Sequence, residues 1–215
     1  MIDIVMLSGP QGSGKSTTAE ALFKECSRLG YQKRRILKFA DPLYMLHDFI
    51  LNRMERFNGI KRVKKDGVLM QLLGTEWGRQ VFGPNVWSDI LKQSINELVN
   101  MSIINPEMYP PGKVLIIVDD CRFENEFDAF PEALRVRLNA YEAVRKKRTE
   151  SWREKTSHAS ETGLDAYAAQ GKFDLYLRTD EPESSPEHCA TLIFAQLQKR
   201  SWPEKRKNPE APKSV

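Results

Sequence analysis

Eight residues near the start of the chain, Gly9-Pro10-Gln11-Gly12-Ser13-Gly14-Lys15-Ser16, match the spacing G-x-x-x-x-G-K-[ST] at every fixed position. Each residue type there has a job in phosphate chemistry. Glycines let backbone N–H groups turn inward around phosphate oxygens. The helix that follows adds unpaired donors and the positive end of its dipole. Gly12, Ser13, Gly14, Lys15, Ser16 and Thr17 are therefore candidates for holding the phosphates of ATP. Lys15 would reach the β- and γ-phosphates, and Ser16 would hold Mg²⁺. The bland alternative is a Gly/Ser-rich turn opening an ordinary helix. Against it stand both flanks: the β-branched run Ile2-Asp3-Ile4-Val5-Met6-Leu7 before the loop, and a helical pattern after it.

A second group of chemical residues closes the apolar run Val114–Val118. A carboxylate at such a strand tip can hold Mg²⁺ directly or through water. Asp120 joins Ser16 as the candidate metal pair, while the choice between Asp119 and Asp120 stays open. Arg122, two residues on, could clamp a phosphorylated substrate bidentately; the alternative is a salt bridge opening a helix. Further along, Arg145 and Arg148 are three apart and share a helix face. Arginines suit the charge that spreads over equatorial oxygens during phosphoryl transfer. On a mobile lid they would also expel water on closure. The alternative is a solvated basic helix. His158 and Glu161 read as a structural or positioning pair, and His47 and His188 as ordinary residues.

The elements that must position these groups alternate. Strands are expected at Ile2–Leu7, Ile36–Phe39, Val114–Val118, Leu134–Leu138 and Phe173–Leu177. Helices are expected after the loop, at Leu43–Phe57, Val68–Phe82, Val86–Met101, Phe123–Phe130, 141–157 and Glu187–Lys199. Asp41 would cap a helix whose first position is Pro42. The alternation implies an α/β fold, a five-stranded parallel sheet flanked by helices with ligands at the strand carboxyl ends. The expected organisation is a core of residues 1–41, 106–140 and 158–200, a helical insertion 42–105, a lid 141–157 and a disordered tail 201–215.

The 215 residues suit one such domain; 40% are hydrophobic and 29% charged, as in a soluble globule. No apolar run is long enough for a membrane span, so no membrane partner is expected. Cys26, Cys121 and Cys189 are too few and scattered for a disulfide framework or zinc site. A reducing cytoplasm is the expected setting. The net charge of +4 is compatible with anionic substrates. It does not call for nucleic acid.

Five blocks in order resemble the deoxynucleoside monophosphate kinases of bacteriophages, within the P-loop nucleoside monophosphate kinase superfamily. They are Gly9–Ser16, Phe39-Ala40-Asp41-Pro42-Leu43, Leu73-Gly74-Thr75-Glu76-Trp77-Gly78-Arg79, Asp120-Cys121-Arg122-Phe123 with Asn125-Glu126, and His158-Ala159-Ser160-Glu161. The resemblance spans the chain to about residue 198. It implies a P-loop fold and ATP- and Mg²⁺-dependent phosphorylation of deoxynucleoside monophosphates to diphosphates. It also implies that the helical insertion binds the acceptor. Gln11, Asp41, Gly74, Thr75, Arg79, Trp87 and Arg122 would then surround the monophosphate, with Lys15, Arg122, Arg145 and Arg148 as catalytic residues. Trp87 would offer a flat face for base or sugar, with core packing as its alternative, and core packing is the better reading of Trp77. Thr179-Asp180-Glu181 would lie where such folds hold adenine. A homodimer stays open. Two rivals remain: a kinase for another small phosphorylated acceptor, such as phosphomevalonate, and an ATP-binding switch acting on DNA through the basic tail Lys199–Lys207.

Overall fold

The computed structural model describes residues 2–58, 65–104, 112–149, 162–181 and 184–201. The central run Val114–Val118 forms β3 in full, because a strand buried on both faces needs apolar residues throughout. Beside it lies β1 (Ile2–Ser8), paired in parallel from Ile2↔Val114 to Met6↔Val118. β4 (Leu134–Asn139) flanks β1 on its other side, and the edges are β2 (Lys33–Leu37) and β5 (Leu175–Arg178). The five parallel strands run in the order β2-β3-β1-β4-β5. This is the expected five-stranded parallel sheet flanked by helices. The edge strands sit earlier or later than the apolar pattern suggests. β2 starts in Lys33-Arg34-Arg35 rather than at Ile36, since an edge strand tolerates charge that a central one does not.

Alternation along the strands sorts the core into two layers. Val5, Leu7, Leu115 and Ile117 face α1 (Lys15–Glu25) and the C-terminal helix, packing with Leu22, Ile193 and Leu197. Ile4, Met6, Ile116 and Val118 face the other side, with Phe39, Leu91, Ile95, Phe127 and Phe173. Between β2 and β3 come α2 (Asp41–Asn58), α3 (Gly67–Gln71), a wide π-type turn (Leu72–Arg79), α4 (Gln80–Phe82) and α5 (Val86–Ile104). After β3 come α6 (Glu124–Asp128), then α7 (Glu142–Lys147) following β4, α8 (Asp165–Ala169), and α9 (Pro186–Ser201) after β5. The sequence pattern did not indicate α8. His158 and Glu161, residues 150–157 of the expected lid and the tail beyond Ser201 lie outside the described residues.

The π-type turn is the irregular element of the helical block. Here the helical ladder widens, as is frequent near functional sites. Its glycines let Trp87 in. The indole Nε1 donates to the Gly74 carbonyl at 2.9 Å. A Cβ on Gly78 would lie 2.2 Å from the Trp87 ring and 2.8 Å from the Leu73 carbonyl oxygen. Gly78→Ala is therefore expected to destabilise the protein by about 2 kcal/mol or more, as overpacking against a ring and a backbone oxygen does. Urea unfolding measures this, and an unchanged midpoint would show that the turn yields freely.

Candidate functional site

The loop between β1 and α1 needs backbone conformations that side chains resist. Gly12 and Gly14 have φ of +76° and +86°. A Cβ on Gly9 (φ +147°) would sit 2.1 Å from the Leu138 carbonyl oxygen, because the loop runs tightly past the end of β4. Ser13 is buried and Gln11 partly exposed. Lys15 folds back over this loop, its Nζ donating to the carbonyls of Gly9 (2.7 Å) and Pro10 (2.9 Å). Thr17, in the first turn of α1, is exposed.

Ser16 Oγ donates to Asp119 Oδ2 at 2.9 Å. The carboxylate beside Ser16 is thus that of Asp119, which corrects the choice of Asp120. Strand alternation explains it. Carried one step past β3, it puts Asp119 on the α1 side with Leu115 and Ile117, and Asp120 on the other. Asp120 accepts instead from the backbone N–H of Phe39 (2.9 Å) and Ala40 (3.0 Å). Desolvation by the surrounding protein pushes its carboxyl up to about 6, against the pull of those two N–H groups. Lys38, which the sequence reading passed over, places Nζ 3.5 Å from Asp119 Oδ2. Burial alone would lower the Lys38 ammonium, but Asp119 and Asp120 outweigh it and raise its pKa.

The fit of Mg²⁺ is judged from the donor set. Ser16 Oγ and Asp119 offer two hard oxygens at the foot of the loop. Asp119 Oδ1 is buried and has no hydrogen-bond partner among the described residues. A buried acceptor left unpaired is costly, and a hydrated divalent ion would satisfy it. The residues fit.

The far wall comes from β4, α7 and β5. Arg145 is buried, donating from Nε to the Ala140 carbonyl (3.1 Å) and from Nη1 to the Gln11 carbonyl (3.1 Å). Arg148 is exposed, and reaches Thr179 through its hydroxyl (2.9 Å) and carbonyl (2.6 Å). Thr179 Oγ1 in turn contacts the Ser13 carbonyl at 3.0 Å. Sequence reasoning gave the two arginines one role. The geometry separates them: Arg145 braces the loop from beneath, and Arg148 lies on its rim.

On the helical side the expected residues divide again. Asp41 Oδ2 accepts the Lys38 N–H at 2.8 Å, closing the turn into α2. Gly74 is buried and Thr75 exposed. Arg79 donates to the Gly74 carbonyl (3.2 Å) and to Glu126 Oε1 (3.0 Å), with its guanidinium 4.4 Å from the centre of the Phe123 ring. Arg122 is partly exposed beside Asp120, whose acidity it favours. Trp87 is only 4% exposed, so its ring is core and not a face for a base. Trp77, expected in the core, is 42% exposed and meets Phe82 edge-on. The two tryptophans exchange their expected places.

Glu126 was quoted only as part of a block, yet it ties the helical side to the sheet. Besides Arg79 it accepts the N–H groups of Arg122 (2.9 Å) and Phe123 (3.2 Å). The spacing of a capping residue three positions into α6 was its sequence signal. Burial raises its carboxyl to about 7, the Arg122 N–H opposes this, and Asp120 adds to it. A carboxyl that holds its proton more tightly when folded makes stability fall as pH rises from 4.5 toward 7. Glu126→Gln should flatten that decline between about pH 5 and 7.5, relative to wild type, in denaturant midpoints taken across pH. Parallel pH profiles would show that Glu126 stays ionised throughout.

No protein-family model matches the chain, and no curated protein sequence does. Its architecture is shared by solved structures. One is TT1252 from Thermus thermophilus, 14% identical, covering 91% of this chain and 97% of that one with a TM-score of 0.52. Others are shikimate kinase from Bacteroides thetaiotaomicron (15% identity, 91% and 98% covered, TM-score 0.45) and a gluconokinase from Sinorhizobium meliloti 1021 (16%, 95% and 97%, 0.45). At such identities the first likeness concerns the fold alone, and the other two superpose too loosely to carry an argument. Among the described residues no helix is long and apolar enough to cross a membrane.

Proposed function

We propose that this protein transfers the γ-phosphoryl group of ATP to the 5′-phosphate of a deoxynucleoside monophosphate, as a P-loop kinase. One observation carries the phosphotransfer half: the glycine loop, Lys15 and the Ser16–Asp119 pair (2.9 Å) converge at the carboxyl end of β1 and β3. Lys15 then leaves the Gly9 and Pro10 carbonyls for the β- and γ-phosphates, and the loop N–H groups hold the remaining oxygens. Ser16 and Asp119 would hold Mg²⁺, which would supply positive charge to offset that of the phosphates. The acceptor oxygen is already anionic, so no strong base is needed; the chain's part is positioning and charge stabilisation. The deoxynucleotide as acceptor is supported by the order of the five sequence blocks and by the helical block opening beside the loop. Arg79 and Arg122 are the cations this reading assigns to its phosphate, and Arg79 exchanges Glu126 for it.

The test is product analysis with ATP, Mg²⁺ and each common dNMP and NMP, alongside phosphomevalonate and DNA. Deoxynucleoside diphosphates with stoichiometric ADP are expected. ATP binding with no product from any acceptor would leave the switch reading in place, and product from phosphomevalonate alone would reassign the acceptor.

A further inference from the structure

We propose that Lys38 is the resident counter-ion of Asp119, displaced by the metal and handed on to the acceptor's phosphate. The inference rests on the phosphotransfer reading above. Lys38 Nζ lies 3.5 Å from Asp119 Oδ2, the oxygen that also accepts Ser16 Oγ at 2.9 Å. An ammonium group therefore shares an oxygen with the two side chains that would hold the metal. The Lys38 side chain is 36% exposed and that of Asp119 3%, so the lysine has room to leave and the carboxylate does not. A divalent ion entering between Ser16 and Asp119 repels an ammonium a few ångströms away and competes for the same lone pairs.

Where the ammonium goes is limited by how its backbone is pinned. The Lys38 N–H is bound to Asp41 Oδ2 at 2.8 Å, and the next two N–H groups, of Phe39 and Ala40, are bound to Asp120. The main chain stays in place while the four-carbon stem swings. Lys38 stands where β2 hands the chain to the helical block, between the phosphate loop and the elements assigned to the acceptor. Released from Asp119, a compact and rotatable ammonium can turn past Asp120, whose carboxylate is held by the Phe39 and Ala40 N–H groups, to the acceptor's phosphate. A guanidinium fork, fixed in its plane, suits such a transfer less well. The consequence is synergy: metal–nucleotide binding frees a cation for the second substrate.

The experiment follows Mn²⁺ by its electron paramagnetic resonance signal in the ADP complex of wild type, Lys38→Met and Lys38→Arg. dGMP and dTMP binding is measured by calorimetry with and without Mn²⁺. Lys38→Met should bind Mn²⁺ about fivefold tighter, the scale expected for losing one half-exposed charge competitor. Its dGMP or dTMP binding should no longer tighten when Mn²⁺ is added. Lys38→Arg should restore the wild-type Mn²⁺ affinity. Lys38→Gln replaces the methionine variant if that one fails to fold. Unchanged Mn²⁺ affinity in a folded neutral variant overturns the proposal and leaves the phosphotransfer reading standing, as does tighter Mn²⁺ with the synergy intact. If wild type itself binds no Mn²⁺ with ADP, and Ser16→Ala is no different, the metal assignment falls and takes Lys38 with it.

Discussion

Lys15→Ala is expected to lower kcat at least ~10²-fold, the scale of losing a preorganised stabiliser of transition-state charge. The side chain is not part of either core layer. Its Nζ contacts two loop carbonyls at 2.7 and 2.9 Å, which under the proposed function it leaves for phosphate. Truncation leaves those carbonyls facing a cleft that water can enter. The loss of stability is therefore small, about 1 kcal/mol. Turnover and thermal melting separate the two effects. A Lys15→Ala protein that melts like wild type and retains its turnover would show that the loop binds something other than a reacting phosphate. One that is inactive because it no longer folds would place Lys15 in the scaffold.

The second large effect is expected at Arg145. The residue is 7% exposed and supports the Ala140 and Gln11 carbonyls, both at 3.1 Å. Gly12 packs on its backbone, since a Cβ there would meet the Arg145 carbonyl oxygen at 2.8 Å. Arg145→Ala removes a buried cation and strands two acceptors, at about 1–3 kcal/mol for each unsatisfied group. A destabilisation of about 3 kcal/mol is expected, with a rise in KM for ATP as the loop loses its shape. Arg148→Ala, at the exposed rim, should instead lower kcat and kcat/KM together with KM nearly fixed, as for a contact made in the transition state. Melting curves and full kinetics on both variants check this. Equal, purely catalytic losses would restore a common lid role for the pair.

What could be read in advance followed from local rules. The glycine loop has fixed spacing, and β3 is apolar throughout because it is central. Both were legible residue by residue. β2 was legible only at Ile36 and Leu37, because Lys33, Arg34 and Arg35 mask the start of an edge strand whose pairing comes from β3. Trp77 and Trp87 were misplaced for other reasons. Trp87 was placed by the resemblance, which carries no information on burial, and Trp77 lies inside the π-type turn at Leu72–Arg79, where the helical ladder is irregular. The Asp119–Asp120 choice was open because adjacent residues are equivalent until one knows which sheet face carries α1. Lys38 was overlooked because an isolated charge carries no spacing signal, and Glu126 because its capping spacing marks only the start of α6; their further meaning is created by Asp119 and Arg79, distant in sequence.

The bonds from Asp120 to Phe39 and Ala40 join residues 81 and 80 positions apart. Together with the pairing of Lys33 to Val114 they fasten both ends of the intervening helical block to the same edge of the sheet. Chain entropy then makes the length of that block nearly irrelevant to the sheet, because doubling a loop costs only about 0.6 kcal/mol in closure. The sheet and glycine loop form a chassis, and the helices between residues 41 and 104 a cartridge held at both ends and, through Leu91 and Ile95 of α5, against one sheet face. Among the described residues, the part of the cartridge before α5 contributes nothing to that face, and it can be lengthened or exchanged while the chassis keeps its register. Under the proposed function, a change of acceptor can therefore arise within that part, without redesigning the glycine loop.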